Sequence, residues 1–138
     1  MISIYTDGSY IPNLGTAAYG FVVLDEDGEM IYKDSGQCKH KDFLKQRNVY
    51  GEVIASLKAI QYCIYNNINE VEIIYDYRGV EYWATGKWKR NNELTKKYHE
   101  LINNISKYIT IKFTWVKGHS GVQYNELVDD LARGAAKE

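Results

Sequence analysis

Four carboxylates have the type and placement to bind hard metal cations: Asp7, Glu52, Asp76 and Asp129. Asp7 closes the alternating run Ile2-Ser3-Ile4-Tyr5-Thr6 and is followed by Gly8-Ser9, while Asp76 stops the apolar run from Val71 to Tyr75. Glu52 falls in the first turns of one helical pattern, and Asp129 falls beside the apolar stripe of another. Carboxylates gathered at one place repel one another and are costly to collect unless cations neutralise them. Oxygen ligands without thiolates favour Mg²⁺ or Mn²⁺ over zinc. Each residue alone also has an ordinary reading. Asp7-Gly8-Ser9 is a hairpin-turn signal, and a glutamate near a helix N-terminus suits the helix dipole. Whether the four converge decides between these readings.

The elements that would bring them together follow from periodicity. β-branched alternation predicts a first strand from Ile2 to Ser9, breaking at Asp7-Gly8. A loop containing Pro12, Asn13 and Gly15 leads to a second strand from Thr16 to Leu24, a turn at Asp25-Glu26-Asp27-Gly28, and a third strand from Glu29 to Gly36. This is an antiparallel meander. A basic loop, Lys39 to Asn48, precedes a helix from Val49 to Tyr65 whose stripe is Val49, Val53, Leu57, Ile60 and Ile64. The strand from Val71 to Tyr75 follows the helix, so it lies parallel to an earlier strand. Beside the first strand, it would bring Asp76 to roughly 5 Å from Asp7. Helices from Arg78 to Thr85 and Leu94 to Ile105, a strand from Ile109 to Val116, the loop Lys117-Gly118-His119-Ser120-Gly121 and a helix from Tyr124 to Lys137 complete the chain. The last helix would bury Leu127, Val128, Leu131 and Ala135.

The 138 residues suit one domain spanning 1–138, with 45% hydrophobic and 25% charged residues excluding a disordered chain. A net charge of −1 gives no global attraction to polyanions, so a nucleic-acid partner would need a local basic patch or metal ions. No apolar run is long enough to span a bilayer and no leader pattern opens the chain, which predicts a cytoplasmic protein without a membrane partner. Cys38 and Cys63 have neither metal-ligand spacing nor a disulfide framework, and Cys63 is expected as a buried thiol.

The order of these pieces resembles the type 1 ribonuclease H family. The resemblance rests on Tyr5-Thr6-Asp7-Gly8-Ser9, Asn48 with Glu52 four places later, Tyr75-Asp76 after an apolar strand, and Trp115-Val116-Lys117-Gly118-His119-Ser120-Gly121 followed by Asn125-Glu126 and Asp129. It implies an α/β ribonuclease H-like fold, with a five-stranded mixed sheet of three antiparallel and then two parallel strands flanked by helices. It also implies an endonuclease that hydrolyses the RNA strand of RNA/DNA hybrids to 5′-phosphate and 3′-hydroxyl ends. Asp7, Glu52, Asp76 and Asp129 then resemble the ligands of two Mg²⁺ ions, replaceable by Mn²⁺, with Asp7 bridging and Asp129 completing the second site. Two ions about 3.5–4 Å apart activate a water on one side of a phosphodiester and stabilise the leaving oxygen on the other. His119 resembles the family's loop histidine of turnover and proton handling; on its residue type alone, it is equally an incidental loop residue.

Asn13 and Asn48 resemble positions that contact the hybrid, and an amide suits a 2′-hydroxyl because both donate and accept. The chain departs from the family's pattern at Val49, where relatives often carry a second amide, and at Tyr77-Arg78-Gly79, where a serine usually follows the aspartate. Arg78 is a phosphate contact or a solvent-facing residue on equal terms. The basic protrusion of relatives is reduced to the stretch from Trp83 to Arg90, with Lys87, Trp88, Lys89 and Arg90 as nucleic-acid contacts. Helix packing is the competing role for Trp83 or Trp88. A monomer acting on RNA/DNA hybrid is expected. A resolvase-like DNA nuclease and a silent nucleic-acid-binding module are the alternatives. The Lys-Gly-His-Ser-Gly loop and paired asparagines argue against the first, and the complete carboxylate set argues against the second.

Overall fold

In a computed structural model, residues 1–118 and 122–138 are described. Five strands form one sheet: β1 (Ile2–Ile11), β2 (Thr16–Leu24), β3 (Met30–Cys38), β4 (Glu70–Tyr75) and β5 (Thr110–Trp115), in the order β3-β2-β1-β4-β5. β1 pairs antiparallel with β2, and β2 with β3, whereas β4 is parallel to both β1 and β5. Four helices accompany the sheet: α1 (Asn48–Tyr65), α2 (Gly79–Thr85), α3 (Glu93–Ile105) and α4 (Gln123–Ala136). The α/β architecture and the three-plus-two mixed sheet are those the sequence predicts.

β2 is buried nearly throughout because both of its faces are covered, so its sequence is an almost unbroken apolar run. One face packs Ile4, Phe21, Val23, Val71 and Ile73 against Val53, Ala59 and Cys63 of α1 and Tyr98 and Ile102 of α3. The other packs Val22 and Leu24 against Val128 of α4, with Leu127 and Leu131 partly buried beside them. Tyr98 ties three helices together. Its hydroxyl donates to the Val80 carbonyl at 2.6 Å. With that proton committed, it accepts from Ser56 Oγ at 3.0 Å. Asn92 caps α3 by accepting from Thr95 N at 2.9 Å.

The expected break in the first strand at Asp7-Gly8 does not occur. β1 continues to Ile11 because β2 pairs with it all the way, Asp7 opposite Gly20 and Ile11 opposite Thr16. What ends is the pairing with β4, whose last pair is Tyr5 with Ile74. The basic segment before α1, expected as a plain loop, contains a 3₁₀ turn over Lys41–Gln46. Ile64 belongs to the expected buried stripe of α1 but is 49% exposed: it lines an open groove beside Leu57 of α1 and Leu101 of α3, while Cys63 next to it takes the buried position. Cys63 is buried as a free thiol. No helix among the described residues is long and apolar enough to cross a membrane.

Candidate active site

β1 outruns β4, and the site sits in the opening this leaves. Continuing the parallel register by two places sets Asp7 opposite Asp76, the residue just past the end of β4. Asp76 is held there by β5: Val116 N donates to the Tyr75 carbonyl at 2.8 Å, and Trp115 Nε1 donates to the Asp76 carbonyl at 2.8 Å. Gly118 passes close enough that a Cβ on it would stand 3.2 Å from Asp76 Oδ2.

α1 reaches the same place because two glycines meet. A Cβ on Gly51 would lie 2.1 Å from the Ala18 carbonyl oxygen and 2.9 Å from Gly8 Cα, so only glycine lets the first turns of α1 rest on β1 and β2. That contact lays Glu52 against Asp7. On the opposite face, a Cβ on Gly20 would meet the Val128 carbonyl at 3.0 Å and Ala132 N at 3.1 Å, so α4 also lies tight on the strand position that faces Asp7. Asp129 thereby reaches the rim of the opening.

Asp7, Glu52 and Asp76 each bring a carboxylate oxygen within 4.8 Å of the others. They line a cleft of about 760 Å³ together with Asp129. Asp7 and Glu52 are each 4% exposed, Asp76 is half-buried, and Asp129 is bound by Arg133, whose Nε lies 3.1 Å from Oδ2. Burial is the first cause that lifts the Asp7 pKa to about 7; Glu52 donates a hydrogen bond that opposes this, and the charges on Asp76 and Asp129 add to the rise. Burial, and then the charge and hydrogen bond of Asp7, push Glu52 well above the ordinary glutamate range. Burial and mutual repulsion therefore favour the protonated forms of Asp7 and Glu52. Gly8 N donates to Asp7 Oδ1 at 2.9 Å, whereas the buried Oε2 of Glu52 has no partner.

This donor set fits a hard divalent cation. It contains only oxygen, it holds an orphaned buried acceptor, and repulsion among its members is what a cation would relieve.

A family model described as RNase H matches residues 1–137. The chain belongs to the RNase H family. It is 33% identical to a protein named Ribonuclease H from Pseudoalteromonas translucida, over 98% of this chain and 89% of that one. It is also 33% identical to the Ribonuclease H of Shewanella halifaxensis, over 99% of this chain and 86% of the relative. The RNase H1 of the halophilic archaeon Halobacterium salinarum has the same fold, with a TM-score of 0.82 at 23% identity over 99% of this chain and 97% of that chain. LC11-RNase H1, solved in complex with an RNA/DNA hybrid, matches with a TM-score of 0.76 at 23% identity, over 98% of this chain and 99% of that chain.

The described residues expected to contact nucleic acid lie outside the lining of this cleft, some of them next in sequence to residues that line it. Asn13 is exposed in the β1–β2 turn next to Pro12, which lines the cleft. Asn48 opens α1. His119 lies outside the described residues. Arg78 is neither free nor simply solvent-facing: its guanidinium stacks 4.0 Å above the Trp115 ring, and NH1 donates to the Tyr82 hydroxyl at 3.1 Å. Trp88, 37% exposed, meets Tyr82 at 5.3 Å and Trp83 at 5.7 Å between ring centroids, and Tyr77 packs on both tryptophans. Trp83 also packs against the main core, so helix packing accounts for it. Lys87 Nζ lies 4.4 Å from the Tyr82 ring centroid, Arg90 donates to the Gly86 and Trp88 carbonyls at 3.3 Å, and Lys89 is exposed.

Three cations that line the cleft escape a reading of the sequence: Arg47, Arg133 and Lys137. Arg133 and Lys137 follow Asp129 by four and eight places on or just beyond α4, a spacing that puts them on its face and was available as a signal. Arg47 offered none. It precedes α1 with a φ of 57°, which turns its guanidinium back over Tyr10 at 5.9 Å.

Proposed function

We propose that this protein hydrolyses the RNA strand of RNA/DNA hybrids with the aid of two Mg²⁺ ions, replaceable by Mn²⁺, leaving 5′-phosphate and 3′-hydroxyl ends. Its support is the convergence of Asp7, Glu52 and Asp76 within 4.8 Å in a chain of the RNase H family. Asp7, Glu52, Asp76 and Asp129 would hold the ions. When bound, the ions supply the Lewis acidity that activates a water and stabilises the leaving oxygen. The protein's own part is to prepay the repulsion among the carboxylates through packing, so that they stand ready at fixed positions. His119 handles the proton at the leaving group. Asn13 and Asn48 sense the 2′-hydroxyl and the minor groove. Arg78, Lys87, Trp88, Lys89 and Arg90 lie along the neighbouring strand, where phosphate attraction and ring stacking grip it. The chain acts as a single catalytic domain and a monomer in the cytoplasm.

The test is cleavage of a labelled RNA/DNA hybrid beside duplex DNA and duplex RNA, with Mg²⁺, Mn²⁺ or chelator. Cleavage of the hybrid alone, dependent on the divalent ion, is expected. Cleavage of duplex DNA at the same rate would favour a resolvase-like enzyme, and no cleavage of any substrate would favour a binding module.

A further inference from the structure

Arg47 combines a backbone conformation that its residue type disfavours with a side chain that the fold leaves uncommitted. Among the described residues, two that are not glycine have a positive φ, Asn67 at 56° and Arg47 at 57°. Asparagine visits that region readily. Arginine does not, and its ψ of −130° lies outside the small left-handed well open to ordinary residues. The cause is that two helical segments meet here with one residue between them. Arg47 N donates to the Leu44 carbonyl at 3.0 Å, closing the 3₁₀ turn, and the Arg47 carbonyl accepts from Tyr50 N at 3.1 Å at the start of α1. Glycine would make this turn without strain.

The strained turn delivers a cation to the cleft. The Arg47 guanidinium lies 5.9 Å from the centroid of the Tyr10 ring, and both residues line the cleft together with Asp7 and Glu52. Arg133, on the same cleft, is bound to Asp129 at 3.1 Å. The exposed Arg47 side chain has neither an ion pair nor a hydrogen bond among the described residues. A cation steadied by an aromatic ring and left unpaired beside a nest of acids is available to an incoming anion. A phosphodiester is the anion that a nuclease substrate brings, and the planar guanidinium fork matches it.

We propose that Arg47 is a substrate-binding residue whose guanidinium, steadied by Tyr10, grips a backbone phosphate of the hybrid close to the cut. It holds substrate and transition state alike, so it serves binding and not the chemical step. This inference rests on the hybrid-nuclease reading above.

The experiment is steady-state cleavage of a labelled RNA/DNA hybrid in Mg²⁺ over a range of salt concentrations, with a thermal melt of each variant. The variants are Arg47→Gly, Arg47→Lys, Tyr10→Phe and, as a control, Lys107→Ala, which removes an exposed charge before β5 at the end of the sheet away from the cleft. Arg47→Gly should raise KM roughly tenfold at low salt with kcat within about twofold of wild type, and reduce the salt slope of kcat/KM by about one. Its Tm should not fall, because relief of the strained φ offsets the freedom glycine adds to the unfolded chain. Arg47→Lys keeps the charge but not the fork and should raise KM by about threefold. Tyr10→Phe keeps the ring, and both it and Lys107→Ala should match wild type. An unchanged KM and salt slope in Arg47→Gly, a fall in kcat at unchanged KM, or an equal rise of KM in Lys107→Ala would overturn the inference while leaving hybrid hydrolysis intact. If wild type does not cleave the hybrid, the nuclease reading itself fails, and this inference falls with it.

Discussion

Gly51 lies so close to Ala18 that a Cβ added to it would stand 2.1 Å from the Ala18 carbonyl oxygen. Backbone meets backbone here, so neither side can rotate away. Gly51→Ala should push the first turns of α1 off the sheet and carry Glu52 away from Asp7. Overpacking of this kind costs about 1–3 kcal/mol. Denaturant melts should show that loss, and Mn²⁺ titration should show weakened binding at the same time. Gly134→Ala, inside α4 where a Cβ would meet nothing within 4 Å, should leave Mn²⁺ binding unchanged and raise stability by about 0.5–1 kcal/mol.

The carboxylates give a pH signature with a definite sign. The folded metal-free protein raises the Asp7 pKa to about 7, so this group's contribution to stability is fully present below the ordinary aspartate value and is lost as pH rises through about 7. Glu52 is raised in the same sense. Mg²⁺ binds the deprotonated site, and so should raise Tm more at pH 8 than at pH 5.5. In chelator, Asp7→Asn should be at least as stable as wild type at pH 8. Thermal melts at the two pH values, with and without Mg²⁺, check both statements.

Lys87, Lys89 and Arg90 project from the α2–α3 connection. Replacing all three with alanine should weaken hybrid binding and reduce the salt slope by no more than about three, one unit per phosphate lost. A smaller reduction, near one, is expected if the contacts of Lys87 with Tyr82 and of Arg90 with the Gly86 and Trp88 carbonyls persist on the substrate. Fluorescence anisotropy against salt concentration measures the slope.

His119→Ala should slow steady-state turnover by about 100-fold, the lower end of the usual range for losing a positioned acid or base. Mn²⁺ binding should be unaltered. Single-turnover and steady-state rates, read with a metal titration of the same variant, separate the two effects.

Much of this was legible in the sequence because the signals were local. The alternating run ahead of Asp7 predicted β1, the helix between strands implied that β4 is parallel, and Asp76 followed the recognisable end of an apolar strand. Other features depend on tertiary neighbours. The break expected at Asp7-Gly8 is absent because pairing with β2 overrides the turn propensity of Asp-Gly-Ser. Ile64 has the right period to be buried, but the buried face of α1 runs through Cys63 and leaves Ile64 in the groove toward α3. Arg78 was undecided on sequence because its partner, Trp115, lies on another element. Arg47 enters the cleft through a left-handed backbone angle that its residue type does not announce.

The most direct test of the account is the initial rate of RNA/DNA hybrid cleavage in saturating Mg²⁺ for wild type and Asp7→Asn, with circular dichroism confirming that both are folded. Asp7 is buried at the centre of the cluster, and the account predicts a loss of at least about 100-fold, the scale of removing one preorganised charge-stabilising group. An Asp7→Asn protein that cleaves the hybrid within a few-fold of wild type would contradict it.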